Sequence, residues 1–194
     1  RFMNWARANT EVKKGKADGL VGSYLDGAPG LIFHKEPIGI SKNCFFTLKS
    51  DSWNYSGETS LSNRIISVGN GYSYGEEFDN YIKSNSGKGL KNIRVISGDS
   101  IITRRVLMTN KGRLNTILED QYVFPYEINI HNNEAEPGDR ALYRNAGCLE
   151  GLGLYVGFTP ANKPNSMELA DFLDENLKTI QKNGEIDKII MKYI

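Results

Sequence analysis

Cysteine, histidine and tryptophan are all scarce in this chain, with two of each. It has no Cys-x-x-Cys, no paired-histidine zinc spacing and no phosphate-binding loop, so nothing in the pattern offers a metal or nucleotide site. His34 and His131 lie too far apart in sequence to suggest a catalytic triad. Neither sign of charge is in excess, since 24 Lys and Arg meet 23 Asp and Glu for a net charge of +1. A general binder of nucleic acid or of membrane surfaces needs a basic surplus, and the balance argues against both. No apolar run approaches the length that spans a bilayer. No signal peptide precedes Arg1, a start that reads as a processed, trimmed or partial product and is silent about compartment. Cys44 and Cys148 leave two readings open, a bridge in an oxidising compartment or two small buried residues in the cytosol.

What is present is an alternation of short strands and helices. Phe2, Trp5, Ala8 and Val12 recur at helical spacing up to Gly15, and the segment 17–21 reads as a short buried strand. Residues 23–43 read as irregular, with turns over Asp26–Gly30. Strands are expected at 44–48, 64–68, 93–96 and 115–119, and helices over 75–83 and up to Asn110, the latter capped by Asp99 or Ser100. Residues 51–63 read as a loop, 121–131 as a mixed apolar stretch, and His131 as a loop residue. Strands of about five residues alternating with helices indicate an α/β architecture with a parallel component. Near the C-terminus Met167, Ala170, Leu173, Leu177 and Ile180 form one apolar stripe, with Asn165 or Ser166 as the cap after Pro164 and Gly184 as the stop.

The end of the chain carries a more specific signal. The strand-like Gly151-Leu-Gly-Leu-Tyr-Val-Gly-Phe158 leads into Thr159-Pro-Ala-Asn-Lys-Pro-Asn-Ser166 and the amphipathic helix. The run from Leu177 to Tyr193, Leu-Lys-x-Ile-x-Lys-Asn-Gly-Glu-Ile-Asp-Lys-Ile-Ile-x-Lys-Tyr, follows without a gap. This order resembles the C-terminus of the bacterial extracellular solute-binding proteins of family 3, the periplasmic binding protein type II receptors that serve amino-acid ABC importers. Val12-Lys-Lys-Gly-Lys-Ala-Asp18 is similar to a first-lobe segment of that family.

The resemblance implies an α/β fold of two lobes, with mixed sheets flanked by helices. Residues 1–48 and 152–194 would form the first lobe and 49–151 the second. In the family the first lobe opens with a βαβ unit ahead of the Val12–Asp18 segment, so the lobe is expected to be incomplete here. The implied function is capture of a small polar, amino-acid-like ligand between lobes that close on it, in the periplasm or outside the cell. The partner would be the membrane permease of an ABC importer, with no cofactor, no nucleic acid and no membrane insertion.

Two segments carry the expected ligand contacts. In Val68-Gly-Asn-Gly-Tyr-Ser-Tyr-Gly-Glu-Glu-Phe78 a strand enters a glycine-bearing turn and then a helix start, a place where backbone N–H groups bind anions. The resemblance gives Gly71, Tyr72 and Ser73 the ligand carboxylate, with Tyr72 and Tyr74 as walls. In Lys111–Asp120 it gives Asp120 the ligand ammonium group, with Glu119 as a weaker candidate. The chain departs from the family over Gly22–Gly30, which lacks the arginine that grips an α-carboxylate. Ser23 and Tyr24 offer hydroxyls there, and His34 and Lys35 are candidate substitutes for the positive charge. The alternative reading is a ligand-sensing or dehydratase-like module on the same scaffold. An enzyme needs a positioned acid–base pair, and only Asp120 with His34 or Glu119 could supply one.

Overall fold

A computed structural model describes residues 3–87, 91–98 and 101–192. In chain order its elements are α1 (Trp5–Lys13), β1 (Gly19–Ser23), β2 (Ile32–Phe33), β3 (Gly39–Ser41), β4 (Asn43–Leu48), β5 (Ile66–Gly69), α2 (Glu76–Asn85) and β6 (Ile93–Ile96). Then follow α3 (Ile101–Asn110), β7 (Thr116–Asp120), α4 (Val123–Glu134), β8 (Tyr143–Cys148), β9 (Leu152–Phe158), α5 (Lys163–Lys182) and α6 (Glu185–Ile190). The expected caps Asp99 and Ser100 lie outside the described residues. The class is α/β, with sheets flanked by helices. The chain divides into two compact units, the first from residues 1–41, 71–76 and 151–194, the second from 42–70 and 77–150.

Unit 1 is organised on β9, against which β1, β2 and β3 all pair antiparallel. Its core joins Val12 of α1, Leu20 of β1, Ala28 and Leu31, with Trp5, Ala8 and Phe33 packed on it. The region 23–43, expected to be irregular, contains the two short strands β2 and β3. At two and three residues each, they are too short for alternation to register, and β9 supplies their pairing.

Helix α5 begins at Lys163 with proline in its first turn, a position where the missing N–H costs nothing. Ser166, expected as its cap, is inside the helix and buried, and its Oγ donates to the Thr159 carbonyl at 2.7 Å. The buried face runs through Ser166, Ala170 and Leu177, while Met167 and Ile180 of the expected stripe are 49% and 38% exposed. Asp174, on the turn before Leu177, staples this helix to the chain ahead of β3. It accepts from the backbone N–H of Lys35 at 2.8 Å and of Glu36 at 2.9 Å.

Unit 2 contains a five-stranded sheet in the order β6-β5-β7-β4-β8. Strand β5 runs parallel to β6 and β7, while β4 runs antiparallel to β7 and β8. Strand β4 is covered on both faces, as its near-continuous apolar sequence requires. Phe46 stacks on Phe124 of α4 at 4.3 Å, and Phe45 on the other face meets Tyr55, Phe78 and Trp53 at 4.4, 5.7 and 5.9 Å. Cys44 and Cys148 are opposite one another on β4 and β8 and form a disulfide.

Most of 121–131, expected as a mixed apolar stretch, belongs to helix α4 (Val123–Glu134), and His131 is in its last turn rather than in a loop. Pro125 lies in the first turn, where it is compatible with a helix start, so its presence does not signal a break.

Arg64 organises the loop before β5. Its Nη2 donates to Asp51 Oδ2 at 2.5 Å and to the Asn115 carbonyl at 2.7 Å, and its Nε to Thr116 Oγ1 at 2.9 Å. The guanidinium also lies 4.6 Å from the Trp53 ring centre. Burial alone would raise the Asp51 carboxyl, but the Arg64 and Trp53 N–H donors outweigh it and hold its pKa below the ordinary 3.8. Burial opposes ionisation of Asp174 too, and there the Glu36 and Lys35 N–H groups prevail and lower its pKa. A depressed carboxyl contributes stability above its unfolded pKa and loses it as pH falls through the folded one. Urea denaturation from about pH 7 to about pH 3 is therefore expected to show stability falling below about pH 4. Asp51→Asn should flatten that decline for unit 2, and Asp174→Asn for unit 1. An acid limb as steep in both variants as in the unmodified protein would remove this account.

Candidate functional site

Five of the six expected contact residues belong to unit 1. Strand β1 ends in a bulge between Val21 and Ser23, where Gly22 has φ +82°, and the chain turns into the loop that carries Ser23 and Tyr24. Ser23 is fully buried and its Oγ donates to the Tyr24 carbonyl at 2.9 Å. Its hydroxyl, expected to face a ligand, is committed to the loop's own backbone. Tyr24 is half-buried, and its hydroxyl shares a hydrogen bond with Ser41 Oγ at 2.9 Å.

The turn after β5 is the second part. Gly71 has φ +76°, a left-handed conformation that an L side chain adopts only under strain, and a Cβ there would stand 3.3 Å from that of Ala6. Tyr72 meets Trp5, at the start of α1, edge to face with ring centres 6.5 Å apart, and its ring lies 6.3 Å from that of Tyr74. Tyr74, expected as a wall, is only 3% exposed and serves the interior. A Cβ on Gly27 would stand 3.2 Å from Ser73 Cβ, so the Tyr24–Gly27 loop and the 71–73 turn are neighbours. The structure thus gathers Tyr24, Gly71, Tyr72 and Ser73 beside Trp5 and Ser41. In the sequence Trp5 is legible only as part of the helical spacing that ends at Gly15, and Ser41 is not singled out. No local pattern could have joined Ser41 to Tyr24, since the link is a single hydrogen bond across 17 residues.

The helix that follows the turn starts at Glu76, and both Glu76 and Glu77 are exposed in its first turn. Their charges already answer the positive end of the helix dipole. The helix dipole by itself is therefore a weak argument for an anion at this turn.

Asp120 belongs to unit 2, at the carboxyl end of β7. Its Oδ1 accepts from the N–H groups of Tyr122 at 2.7 Å and Val123 at 3.0 Å, which satisfies donors at the start of α4. Glu119, the weaker candidate, is 4% exposed. Its Oε2 accepts from Arg105 Nη1 at 2.7 Å and its Oε1 from the Asp120 N–H at 3.0 Å. Burial pushes its carboxyl up, against the pull of Arg105. Glu119 is part of the interior of unit 2.

His34 is likewise buried, 3% exposed. Its Nε2 accepts from the Val156 N–H at 2.9 Å, and its Nδ1 faces Asp174 Oδ1 at 3.9 Å. This histidine fastens the end of β2 to β9 and does not stand in for a ligand-gripping cation. Among the described residues no group of three His, Cys, Asp or Glu side chains is arranged to hold a metal ion. Nor is any helix among them long and apolar enough to cross a membrane.

No protein-family model matches the chain, and no curated protein matches it in sequence. Solved structures do match it in fold. A mutant of ArgBP from T. maritima aligns over 100% of this chain and 76% of its own, with a TM-score of 0.68 at 15% identity. The amino acid ABC transporter substrate-binding protein AbpA from Streptococcus pneumoniae, bound to L-arginine, aligns over 100% and 75%, with a TM-score of 0.67 at 19% identity. A histidine kinase sensor domain with similarity to periplasmic binding proteins aligns over 98% and 75%, with a TM-score of 0.70 at 14% identity. At such identities the likeness is one of fold, which is that of the type II periplasmic binding proteins.

Proposed function

We propose that this chain is a solute-binding protein that captures a small polar, amino-acid-like molecule outside the cytoplasm and delivers it to the membrane permease of an ABC importer. The observation that carries the reading is the fold match along the whole chain to proteins described as amino-acid binders. The Cys44–Cys148 disulfide supports an oxidising compartment, where such a bond persists. The protein acts by binding and release, without catalysis.

In unit 1 the Gly71–Ser73 turn supplies N–H and hydroxyl donors to an acidic group of the solute, and Tyr24 and Tyr72 contribute hydroxyl and ring surface. Trp5 packs edge to face against the Tyr72 ring and helps fix its position. In unit 2, taken by itself, Asp120 offers a carboxylate at a strand end that suits an ammonium group. Without an arginine in Gly22–Gly30, the carboxylate grip is weaker than a bidentate guanidinium would provide. The solute then depends more on hydroxyl and aromatic contacts.

A thermal-shift screen with amino acids, polyamines, small organic acids and sugars tests the reading. A ligand at about a hundred times its Kd stabilises the native state by about 2.7 kcal/mol, a readily measured rise in melting temperature. An amino-acid-class hit is expected, with the shift reduced by Tyr72→Ala, Ser73→Ala and Asp120→Asn. A cooperative melt that no compound in any class moves would overturn the proposal. The match to a kinase sensor domain favours one second reading, ligand sensing in place of delivery. The two readings separate when the liganded protein is presented to importer permeases reconstituted in vesicles. Stimulated uptake supports delivery, and binding without uptake supports sensing.

A further inference from the structure

Two surface helices carry matching patterns of opposite charge. On unit 2 a groove of about 430 Å³ runs along α3, lined by Arg104, Lys111 and Arg113 with Leu107 and Met108 between them, and by no acidic side chain among the described residues. On unit 1 the outer face of α5 presents Glu168, Asp171 and Glu175 around Met167 and Phe172, and no cation among the described residues lines it. Met167 and Phe172 are 49% and 60% exposed, and Leu107 is 37% exposed. None of these six charged side chains makes an ion pair among the described residues.

The spacing of the two patterns agrees. Arg104 and Lys111 are seven residues apart with Leu107 and Met108 between, and the backbone of Lys111 continues α3, its N–H reaching the Leu107 carbonyl at 3.2 Å. Glu168 and Glu175 are also seven residues apart, with Asp171 and Phe172 between. Seven helical residues advance about 10 Å, so each helix sets two like charges that far apart on one face, with an apolar group midway.

We propose that the basic groove along α3 receives the acidic face of α5 from a second copy of this chain. Antiparallel docking sets Glu168 against Lys111, Phe172 against Leu107 and Met108, and Glu175 against Arg104. The two surfaces differ, so the contact is heterologous: once two copies dock, one still offers its acidic face and the other its basic groove, and association can continue from both ends. Exposed ion pairs are individually weak and screened by salt, so the association is weak, concentration-dependent and strongest at low ionic strength. The contact is independent of the solute-binding proposal.

Sedimentation velocity over a concentration series at low and high salt tests it. The unmodified protein is expected to self-associate at low salt and to dissociate as salt rises. The pair Arg104→Glu with Lys111→Glu, and the pair Glu168→Lys with Glu175→Lys, are each expected to abolish self-association. Their exposed sites should leave the thermal melt unchanged. Mixed in equal amounts, the two variants present each other with surfaces of opposite charge, the intact face to the intact groove and the reversed groove to the reversed face, and so should associate at low salt where neither does alone. A monomer at every concentration in low salt would overturn the proposal. So would variants that associate as the unmodified protein does, or a mixture that fails to associate.

Discussion

Replacing Cys44 and Cys148 together by alanine is expected to destabilise unit 2 by about 2–5 kcal/mol, the usual cost of losing a native disulfide. The bridge joins positions 104 residues apart, so it closes nearly the whole of unit 2 into one covalent loop. In the chain-entropy account, opening a loop of this size returns about 4–5 kcal/mol of freedom to the unfolded state. The bond also ties β8, at the edge of the sheet, to its neighbour β4. Cys44 is fully buried and packs with Phe46, Ile117 and Phe124, so alanine removes packing volume as well. For a unit of this size the melting temperature should fall by roughly 10–20 °C. Calorimetry with and without reductant measures this: reduction should lower the unit 2 transition in the unmodified protein and leave the double variant unmoved. Equal transitions in all four samples would mean that the covalent loop does not govern stability.

The elements legible in the sequence were those whose pattern is local and long. Strand β6 matches its expected bounds, and β4, β5, β7 and β9 agree with theirs to within about two residues, the ordinary uncertainty of such boundaries. Each is an apolar run bounded by turn residues. Helix α1 was announced by the spacing of Trp5, Ala8 and Val12, and Gly184 ends α5 with φ +67°. Helix α4 was not legible, because it is apolar without a clear stripe and holds a proline that reads as a break. Strands β2 and β3 exist through their pairing with β9. The face of α5 was misjudged at both ends. Met167 and Ile180 satisfy the period, but whether a residue is covered depends on what packs against the helix, which its own sequence does not encode.

At the candidate site, the turn at Gly71 was readable because its glycine has a conformational reason to be there. Side-chain commitments were less so. Ser23, Glu119 and His34 all carry chemistry suited to a ligand, and all three spend it on the protein's own hydrogen bonds. Composition gives the groups available, while only tertiary structure decides whether each faces outward.

Removing the charge of Arg105 and removing that of Glu119 should have different pH signatures. Arg105 is fully buried in α3 and donates to Glu119 Oε2 at 2.7 Å, within a sheet and helix layer that excludes water. Breaking a buried pair from one side costs about 3–5 kcal/mol, because the remaining charge keeps its desolvation penalty and loses its partner. In Glu119→Gln the guanidinium loses this carboxylate and cannot deprotonate, so the loss is expected to be largest at pH above the folded-state value of Glu119, which burial holds above the ordinary 4.5. In Arg105→Met the orphan is a carboxyl that burial already pushes up, and it can escape by binding a proton. A raised acid contributes stability that is present below its unfolded pKa and lost as pH rises toward its folded one. Arg105→Met should therefore be nearly as stable as the unmodified protein below about pH 4.5 and fall behind it progressively toward neutrality. Exchanging both residues, Arg105→Met with Glu119→Leu, removes both penalties and should recover most of the stability at neutral pH. Urea denaturation of the three variants between about pH 4 and about pH 8 separates the cases. If both single variants lost equal stability at every pH, the carboxyl would not be responding to its partner, and the pair's energetics would have to come from packing alone.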